Sequence, residues 1–230
     1  MHGVTGGGPK ELLPLGRKSV LLRILEEARA ADPDEIVVVS SRDKPELETA
    51  VDEWGKTRLA DVPVRVAYQE TPNGVLGAVA AAEIEDDLVV LLGDCVFQGS
   101  PLERMANLIH RGIDRCVAVE LVSEEQVGMY GIAEVNEAQG TIKRILEKPS
   151  VGTTDSRWAV AARYALTKRL ALQIGDYQFG SHAEIGMTDF LNRVIEEGGD
   201  LRAIALLPDQ RRVDCGSPAE YERARREPWD

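Results

Sequence analysis

An apolar run over residues 88–92 ends abruptly at Gly93 and Asp94. Because this run has no polar alternation, it predicts a strand that is buried on both faces, as in a parallel sheet covered by helices. The carboxyl ends of such strands face the ligand crevice, so a carboxylate there is placed to hold a metal ion or a ligand hydroxyl. The alternative is structural, with Gly93 and Asp94 turning the chain and capping the next helix.

The elements that would position Asp94 follow an α/β pattern. Strands and helices alternate up to about residue 111, which indicates right-handed βαβ units and a parallel sheet. Later strands follow one another over short connections, and residues 136–140 predict a hairpin turn between antiparallel strands. The fold class is therefore α/β, a Rossmann-like mixed and mainly parallel sheet flanked by helices, with an antiparallel hairpin in the second half. Without a linker-like segment, we expect one domain over residues 1–230, with halves 1–111 and 112–230.

The periodicity predicts the position of each element. Predicted strands cover residues 34–40, 64–69, 88–92, 115–122, 130–135, 141–148, 158–166, 201–206 and 212–214. Predicted helices cover residues 20–31, 45–54, 102–111, 170–174, 187–197 and 218–226, with an alanine-rich helix that ends near residue 83.

Composition excludes several classes of protein. The 230 residues carry a net charge of -12, which argues against a nucleic-acid or anionic-membrane surface. Three scattered cysteines form neither a disulfide framework nor a zinc motif, and they indicate a reducing compartment. No apolar run approaches about 18 residues and no signal peptide is evident, so the expected location is the cytoplasm.

Seven short motifs are spread over nearly the whole chain: residues 9–15, Gln69 with Pro72 and Gly74, residues 92–94, Tyr130 with Gly131, residues 147–149, Glu184 with Thr188 and Asp189, and residues 214–218. Their order and approximate spacing resemble the sugar-nucleotide pyrophosphorylases, in particular the glucose-1-phosphate uridylyltransferase and thymidylyltransferase branch. The resemblance implies a fold of the nucleotide-diphospho-sugar transferase type. It also implies nucleotidyl transfer from a nucleoside triphosphate, UTP or dTTP, to a hexose 1-phosphate, with release of pyrophosphate. Residues 1–111 would then bind the nucleotide and residues 112–230 the sugar phosphate.

The resemblance implies catalytic roles for Lys10, Asp94, Lys148 and Asp214. Asp94 and Asp214 would hold Mg²⁺, which prefers oxygen ligands and usually takes one or two carboxylates with substrate phosphates. Lys148 would bind the sugar phosphate and Lys10 the α-phosphate, since a lysine supplies a compact positive charge. The structural alternatives are a turn residue at Asp214 and an ordinary solvated ion pair at Lys148.

The remaining substrate contacts are also implied by the resemblance. Gln69 and Gly74 would read the base, because an amide pairs with the imide edge of uracil or thymine and glycine lets the backbone approach closely. Glu147 would accept hydrogen bonds from sugar hydroxyls. The other implied sugar contacts are Tyr130, Gly131 and Glu184. Tyr130 could equally be a core aromatic residue with a satisfied hydroxyl.

The beginning of the sequence departs from the family pattern. Family members start with a buried strand and a glycine-rich loop ending in Gly-Thr-Arg, whose amides and arginine wrap the triphosphate. Met1 falls just after the position of that arginine. Either the natural protein begins further upstream, or this is a shortened homologue, and in both cases we expect weak or no turnover from the 230-residue chain.

Two other functions remain open from the sequence. A non-catalytic homologue would keep the sugar-phosphate pocket of Glu147 and Lys148 without binding triphosphate. A UDP-sugar glycosyltransferase would use Asp94 to hold a metal beneath the diphosphate, although residues 9–15 and 147–149 argue against it. A homo-oligomer is compatible with all of these functions.

Overall fold

The computed structural model describes residues 7–179 and 186–229. Strands are numbered along the chain as β1 (Pro14–Leu15), β2 (Lys18–Ser19), β3 (Ile36–Ser40), β4 (Val64–Tyr68), β5 (Leu88–Leu91), β6 (Cys95–Gln98), β7 (Arg115–Leu121), β8 (Gly131–Asn136), β9 (Thr141–Glu147), β10 (Trp158–Leu166), β11 (Leu201–Ala205) and β12 (Arg211–Asp214). Helices are α1 (Val20–Arg29), α2 (Pro45–Thr57), α3 (Gly74–Ala81), α4 (Leu102–His110), α5 (Lys168–Phe179), α6 (Met187–Glu196) and α7 (Pro218–Ala224). Two 3₁₀ turns cover Lys10–Leu12 and Glu124–Met129.

The chain folds into two compact units that interleave along the sequence. The first contains residues 1–70, 91–100 and 209–230, and the second contains residues 71–90 and 101–208. The expected single domain with halves 1–111 and 112–230 stays a prediction. No helix within residues 7–179 or 186–229 is both long and apolar enough to cross a membrane.

The first unit contains a parallel pair, β3 with β4, packed against α1 and α2. Strand β3 alternates between buried and half-buried residues because its branched side chains point to opposite faces. Helix α1 begins where the hydroxyl of Ser19 accepts a hydrogen bond from the Leu22 amide at 3.2 Å. Leu21 and Leu25 of α1 pack on the apolar residues of β3 and α2, which buries one stripe of the helix.

A second core in this unit supports the antiparallel pair of β6 and β12. The other face of α1, with Val20 and Ile24, packs against Val96 of β6 and Val213 of β12. The phenol of Tyr221 in α7 is buried and donates a hydrogen bond to the Pro14 carbonyl oxygen at 2.7 Å. This packing fixes the ends of β6 and β12 relative to the chain segment around Lys10–Leu12.

The second unit contains a six-stranded sheet with the order β5-β10-β7-β11-β9-β8. Strands β8 and β9 form the predicted antiparallel hairpin around residues 136–140, which is confirmed. Strands β7 and β11 pair in parallel, whereas β10 with β7, β10 with β8, and β11 with β9 are antiparallel. The mixed α/β architecture is therefore confirmed, but antiparallel pairing extends well beyond the single predicted hairpin.

Three local predictions are wrong. The sequence predicts that strand β5 is buried on both faces, yet only its first residue, Leu88, is buried. Within the part of the chain that the structure describes, β5 stands at one end of the sheet and has β10 as its neighbour, so one edge is not covered by another strand. The short strands β1, β2 and β6 are absent from the prediction, and α5 is much longer than the segment 170–174.

Candidate active site

Asp94 and Asp214 lie at adjoining ends of β6 and β12 in the first unit. The antiparallel register pairs Asp214 with Cys95, the residue after Asp94. The backbone N–H of Cys215 donates a hydrogen bond to the Asp94 carbonyl oxygen at 2.7 Å. The structure therefore brings together the two residues expected to hold Mg²⁺. The helix-capping alternative for Asp94 is wrong, because the next element is strand β6 rather than a helix.

Lys10 reaches Asp94 from the turn Lys10–Leu12. Its Nζ atom lies 2.8 Å from Oδ2 of Asp94, and the two side chains are 30% and 36% exposed. Burial lowers the pKa of Lys10, but the hydrogen bond to Asp94 and the charges of Asp94 and Glu11 outweigh it, so the pKa is raised. Lys10 is consequently a cation at neutral pH, with its charge directed at one oxygen of Asp94.

The carboxylate of Asp214 has a donor near each oxygen. The Cys95 thiol donates a hydrogen bond to Oδ1 at 3.0 Å, and Nη2 of Arg212 lies 3.7 Å from Oδ2. Burial and the charge of Asp214 raise the pKa of Cys95 well above its usual range, which keeps the thiol protonated. Asp214 is therefore held in one orientation.

Gly216 lies close against the Asp94 carboxylate. A Cβ atom at this position would lie 3.1 Å from Oδ2 of Asp94 and 3.5 Å from Oε2 of Glu220. Among the residues that the structure describes, no three His, Cys, Asp or Glu side chains gather into a metal cluster. The donors at this place are thus the two carboxylates, and Mg²⁺ usually takes one or two carboxylates and keeps several waters, so this donor set fits the ion.

The second unit brings Gly131, Glu147 and Thr188 together. Gly131 pairs with Glu147 across β8 and β9, and the Thr188 hydroxyl at the start of α6 donates to Oε2 of Glu147 at 2.9 Å. A Cβ atom at Gly131 would lie 3.3 Å from the same carboxylate oxygen. The glycine therefore lets the Glu147 carboxylate lie close to the backbone of β8, and this exposed carboxylate can accept hydrogen bonds from a ligand with hydroxyl groups.

Lys148 comes directly after β9 in the second unit. Its backbone N–H donates to the Tyr130 carbonyl oxygen at 3.1 Å, and its side chain is exposed. Its φ of 42° lies in the left-handed region, which is uncommon for a residue with a side chain. Backbone strain of this kind is frequent at functional sites, and the buried Pro149 next in the chain helps to hold it.

The remaining predicted contacts are distributed differently. Gln69 belongs to the first unit, where its backbone N–H donates to the Ser40 carbonyl oxygen at 2.8 Å, whereas Gly74 begins α3 in the second unit with a φ of 89°. Tyr130 is partly buried and packs against a small apolar cluster of the second unit, which supports the structural alternative for its ring. Glu184 lies outside the described residues.

Two contacts were missed from the sequence. Thr188 stands in one of the seven motifs, but nothing in that motif shows that its hydroxyl donates to Glu147. Cys95 is the next residue after Asp94, yet its bond to Asp214 depends on the pairing of β6 with β12. The sequence signal that pointed to Thr188 was its place in a motif, whereas no sequence signal pointed to Cys95.

Comparison with known proteins places the chain in a class. Residues 1–227 match the nucleotidyl transferase family. The chain belongs to that family, and its resemblance to the sugar-nucleotide pyrophosphorylases is confirmed.

Particular relatives support the same class. The UTP--glucose-1-phosphate uridylyltransferase of Bacillus subtilis (strain 168) is 29% identical over 218 residues, which cover 84% of this chain and 75% of the relative. The enzyme of that name from Staphylococcus haemolyticus (strain JCSC1435) is 27% identical over 241 residues, covering 92% of this chain and 82% of the relative. A UTP-bound UGPase from Acinetobacter baumannii has a TM-score of 0.78 and 25% identity, with 96% of this chain and 86% of that chain covered.

A further solved structure is a UDP-glucose pyrophosphorylase complexed with UDP-glucose. Its TM-score is 0.79 at 25% identity, with 95% of this chain and 89% of that chain covered. These similarities confirm the expected nucleotide-diphospho-sugar transferase type of fold.

Proposed function

We propose that the chain transfers a uridylyl group from UTP to a hexose 1-phosphate, with dTTP as the alternative donor. A phosphate oxygen of the sugar 1-phosphate attacks the α-phosphorus, the bond from that phosphorus to the bridging oxygen breaks, and pyrophosphate leaves. The names of the similar proteins, which refer to UTP, glucose 1-phosphate and UDP-glucose, support this choice of substrates.

The first unit supplies the residues for the triphosphate. Asp94 and Asp214 would hold Mg²⁺, and the ion, when bound, would neutralise charge on phosphate oxygens. Lys10 would neutralise the α-phosphate, and Gln69 would read the base. Gly74 stays a proposed base contact. The observation that carries the proposal is the pairing of β6 with β12, which holds Asp94 and Asp214 at adjoining strand ends with Lys10 on one of them.

The second unit supplies the residues for the sugar phosphate. Glu147, whose exposed carboxylate lies close to Gly131, would accept hydrogen bonds from sugar hydroxyls, and Thr188 orients that carboxylate. Lys148 would bind the phosphate with a compact charge. Tyr130 and Glu184 stay proposed sugar contacts.

The test measures pyrophosphate release by the purified chain with Mg²⁺, UTP and glucose 1-phosphate. Asp94→Asn and Asp214→Asn should each lower the rate by about 10²-fold or more, because each removes a preorganised charge. Asp209→Asn, an exposed aspartate of the same unit, should leave the rate unchanged. Equal rates in all variants would contradict the proposal, and a parallel reaction with dTTP identifies the base.

Binding separates the catalytic function from the non-catalytic alternative. In a calorimetric titration both functions predict binding of a sugar phosphate, whereas Mg²⁺-dependent binding of UTP belongs only to the transferase. The expectation of slow turnover stays a prediction, which rates on the order of 1 to 10³ per second would contradict. The three cysteines are buried thiols rather than disulfides, which fits a reducing compartment such as the cytoplasm, and that location is part of this proposal.

A further inference from the structure

The side chain of Asn192 in α6 binds both polar backbone groups of Ile145 in β9. Its Nδ2 group donates a hydrogen bond to the Ile145 carbonyl oxygen at 2.7 Å, and its Oδ1 atom accepts from the Ile145 N–H, also at 2.7 Å. An asparagine side chain carries the same donor and acceptor as a peptide group. It therefore pairs with Ile145 as a residue of a neighbouring antiparallel strand would, by exchanging both bonds.

This pairing lies where β9 has a strand on one side. Strand β11 pairs with β9 at Thr141 and Ile142, whereas β8 continues alongside β9 as far as Glu147. Within the part of the chain that the structure describes, β8 is thus the only strand that pairs with β9 after Ile142. Ile145 is buried, so its N–H and carbonyl groups would be costly to leave without partners. Asn192 supplies those partners and ties the second half of β9 to α6.

The same face of α6 also reaches the candidate sugar site. Thr188, four positions before Asn192, donates to Oε2 of Glu147, which follows Ile145 by two positions. Residues four apart lie on one face of a helix and span about 6 Å along it, and residues two apart lie on one face of a strand and span about 6.8 Å. The two contacts therefore match in spacing, so that helix and strand can make both at once.

We propose that Asn192 is a positioning residue for the sugar-phosphate site. The inference rests on the proposed function and deepens it, because it names the group that sets the place of Glu147 without touching substrate. By fixing Ile145 against α6, Asn192 holds the end of β9 where Thr188 can reach the Glu147 carboxylate. The same end of the strand leads directly into Lys148, whose backbone is held in the left-handed region at a φ of 42°.

The dependence runs from Asn192 to Thr188 because their bonds differ in kind. Asn192 is half-buried and makes two bonds to a buried backbone, which moves little. The bond from Thr188 joins two side chains at an exposed place, so it forms only where the strand already lies at the right distance. Without Asn192 the end of β9 can shift, and a shift of about 1 Å is enough to weaken binding at a site built for one geometry.

The experiment measures binding of glucose 1-phosphate by calorimetric titration. Asn192→Ala should lower the affinity about tenfold, because both bonds to Ile145 are lost. Asn192→Asp keeps an oxygen that accepts from the Ile145 N–H, so it should lower the affinity about threefold. Val194→Ala is the matched control: it truncates a buried residue of the same helix and lowers stability, but it leaves the bonds of Asn192 in place. This control should bind glucose 1-phosphate as the wild type does.

Two further readouts separate positioning from a loss of stability. Mg²⁺-dependent UTP binding should stay unchanged in all three variants, because Asp94 and Asp214 belong to the first unit and Asn192 to the second. In the double variant Asn192→Ala with Thr188→Val, the affinity for glucose 1-phosphate should fall about tenfold, as in Asn192→Ala alone. Independent effects would multiply to about 30- to 100-fold, so the double variant shows whether the two residues act together.

Three outcomes would overturn the inference: wild-type affinity in Asn192→Ala, an equal loss of affinity in Val194→Ala, or losses that multiply in the double variant. If Asn192→Ala does not fold, Asn192→Asp takes its place in the same comparison, since it leaves the buried N–H of Ile145 with a partner. Absence of glucose 1-phosphate binding by the wild type would overturn the proposed function as well. Equal binding by the wild type and all variants would overturn this inference alone.

Discussion

Gly216→Ala tests whether the position of the Asp94 carboxylate matters for ligand binding. The new Cβ would lie 3.1 Å from Oδ2 and 3.7 Å from Cγ of Asp94, so the carboxylate would have to move by a few tenths of an ångström. The backbone at Gly216 is not in the left-handed region, so alanine is compatible with it. Alanine at such a position stabilises by about 0.4–1 kcal/mol through the unfolded chain, and the close contact offsets a similar amount.

Gly216→Ala should therefore change ligand binding much more than it changes the stability of the fold. A net change within about 1 kcal/mol shifts the melting temperature of a domain of this size by at most about 2–4 °C. A displaced Asp94 carboxylate should weaken Mg²⁺-dependent UTP binding by about tenfold or more, which is at least about 1.4 kcal/mol.

The assay combines thermal unfolding with calorimetric titration of UTP in the presence of Mg²⁺. Gly93→Ala is the matched control, because apart from its chain neighbours no atom lies within 4 Å of its would-be Cβ, and the added methyl group would be next to the same aspartate in sequence. This control should bind UTP as the wild type does. Wild-type affinity in a well-folded Gly216→Ala would refute the assignment of Asp94 to the metal and triphosphate site.

Three further predictions concern other parts of the chain. Thr188→Val removes the donor to Glu147, so affinity for the sugar 1-phosphate should fall about 3- to 10-fold in titration while UTP binding stays unchanged, and Thr188→Ser should restore it. Burial raises the pKa of Cys116 to about 12, so the unfolded chain loses this proton first and stability should fall as pH rises from about 8.5 towards 12. Cys116→Ala should make that fall shallower by about 1.4 kcal/mol per pH unit in denaturant titrations, and an unaltered slope would contradict this assignment. Ser217→Ala removes the hydroxyl that accepts from the Glu220 amide, so the melting temperature should drop by about 2–4 °C, for a loss of about 1 kcal/mol.

The elements that sequence patterns predicted well are those whose stability is local. Helix α1 carries an apolar stripe and a serine cap, and β3 carries a run of branched residues. Each element can therefore be recognised from a short stretch of sequence. The turn over residues 136–140 joins two neighbouring strands, so its hairpin needed no distant information. These features were predicted in type and nearly in extent.

Burial of β5 could not be predicted in the same way, because an apolar run does not reveal how many neighbours a strand has. Residues 88–92 have the composition of a central strand, but β5 pairs with β10 at one end of the sheet order. Its later residues are therefore only partly buried. Asp94 does lie just beyond the end of that run, although the element after it is a second strand, β6, rather than a helix.

At the candidate metal site, the family motifs identified the candidate residues, whereas the predicted strands and helices did not show how these residues come together. Cys95 and Asp214 are 119 positions apart, and their bond exists because β6 pairs with β12, a pairing between two four-residue strands that have little local signal. The family motifs marked both aspartates without showing this pairing, since a motif preserves side-chain chemistry rather than strand register.

The Cys95 thiol was given no role from the sequence, yet it donates to the carboxylate that would hold the ion. If that bond orients Asp214, Cys95→Ser should keep metal affinity and Cys95→Ala should lower it about tenfold, because groups that hydrogen-bond to metal ligands usually matter to that extent. Equal Mn²⁺ affinities in the two variants would mean that Arg212 and the backbone suffice to hold Asp214.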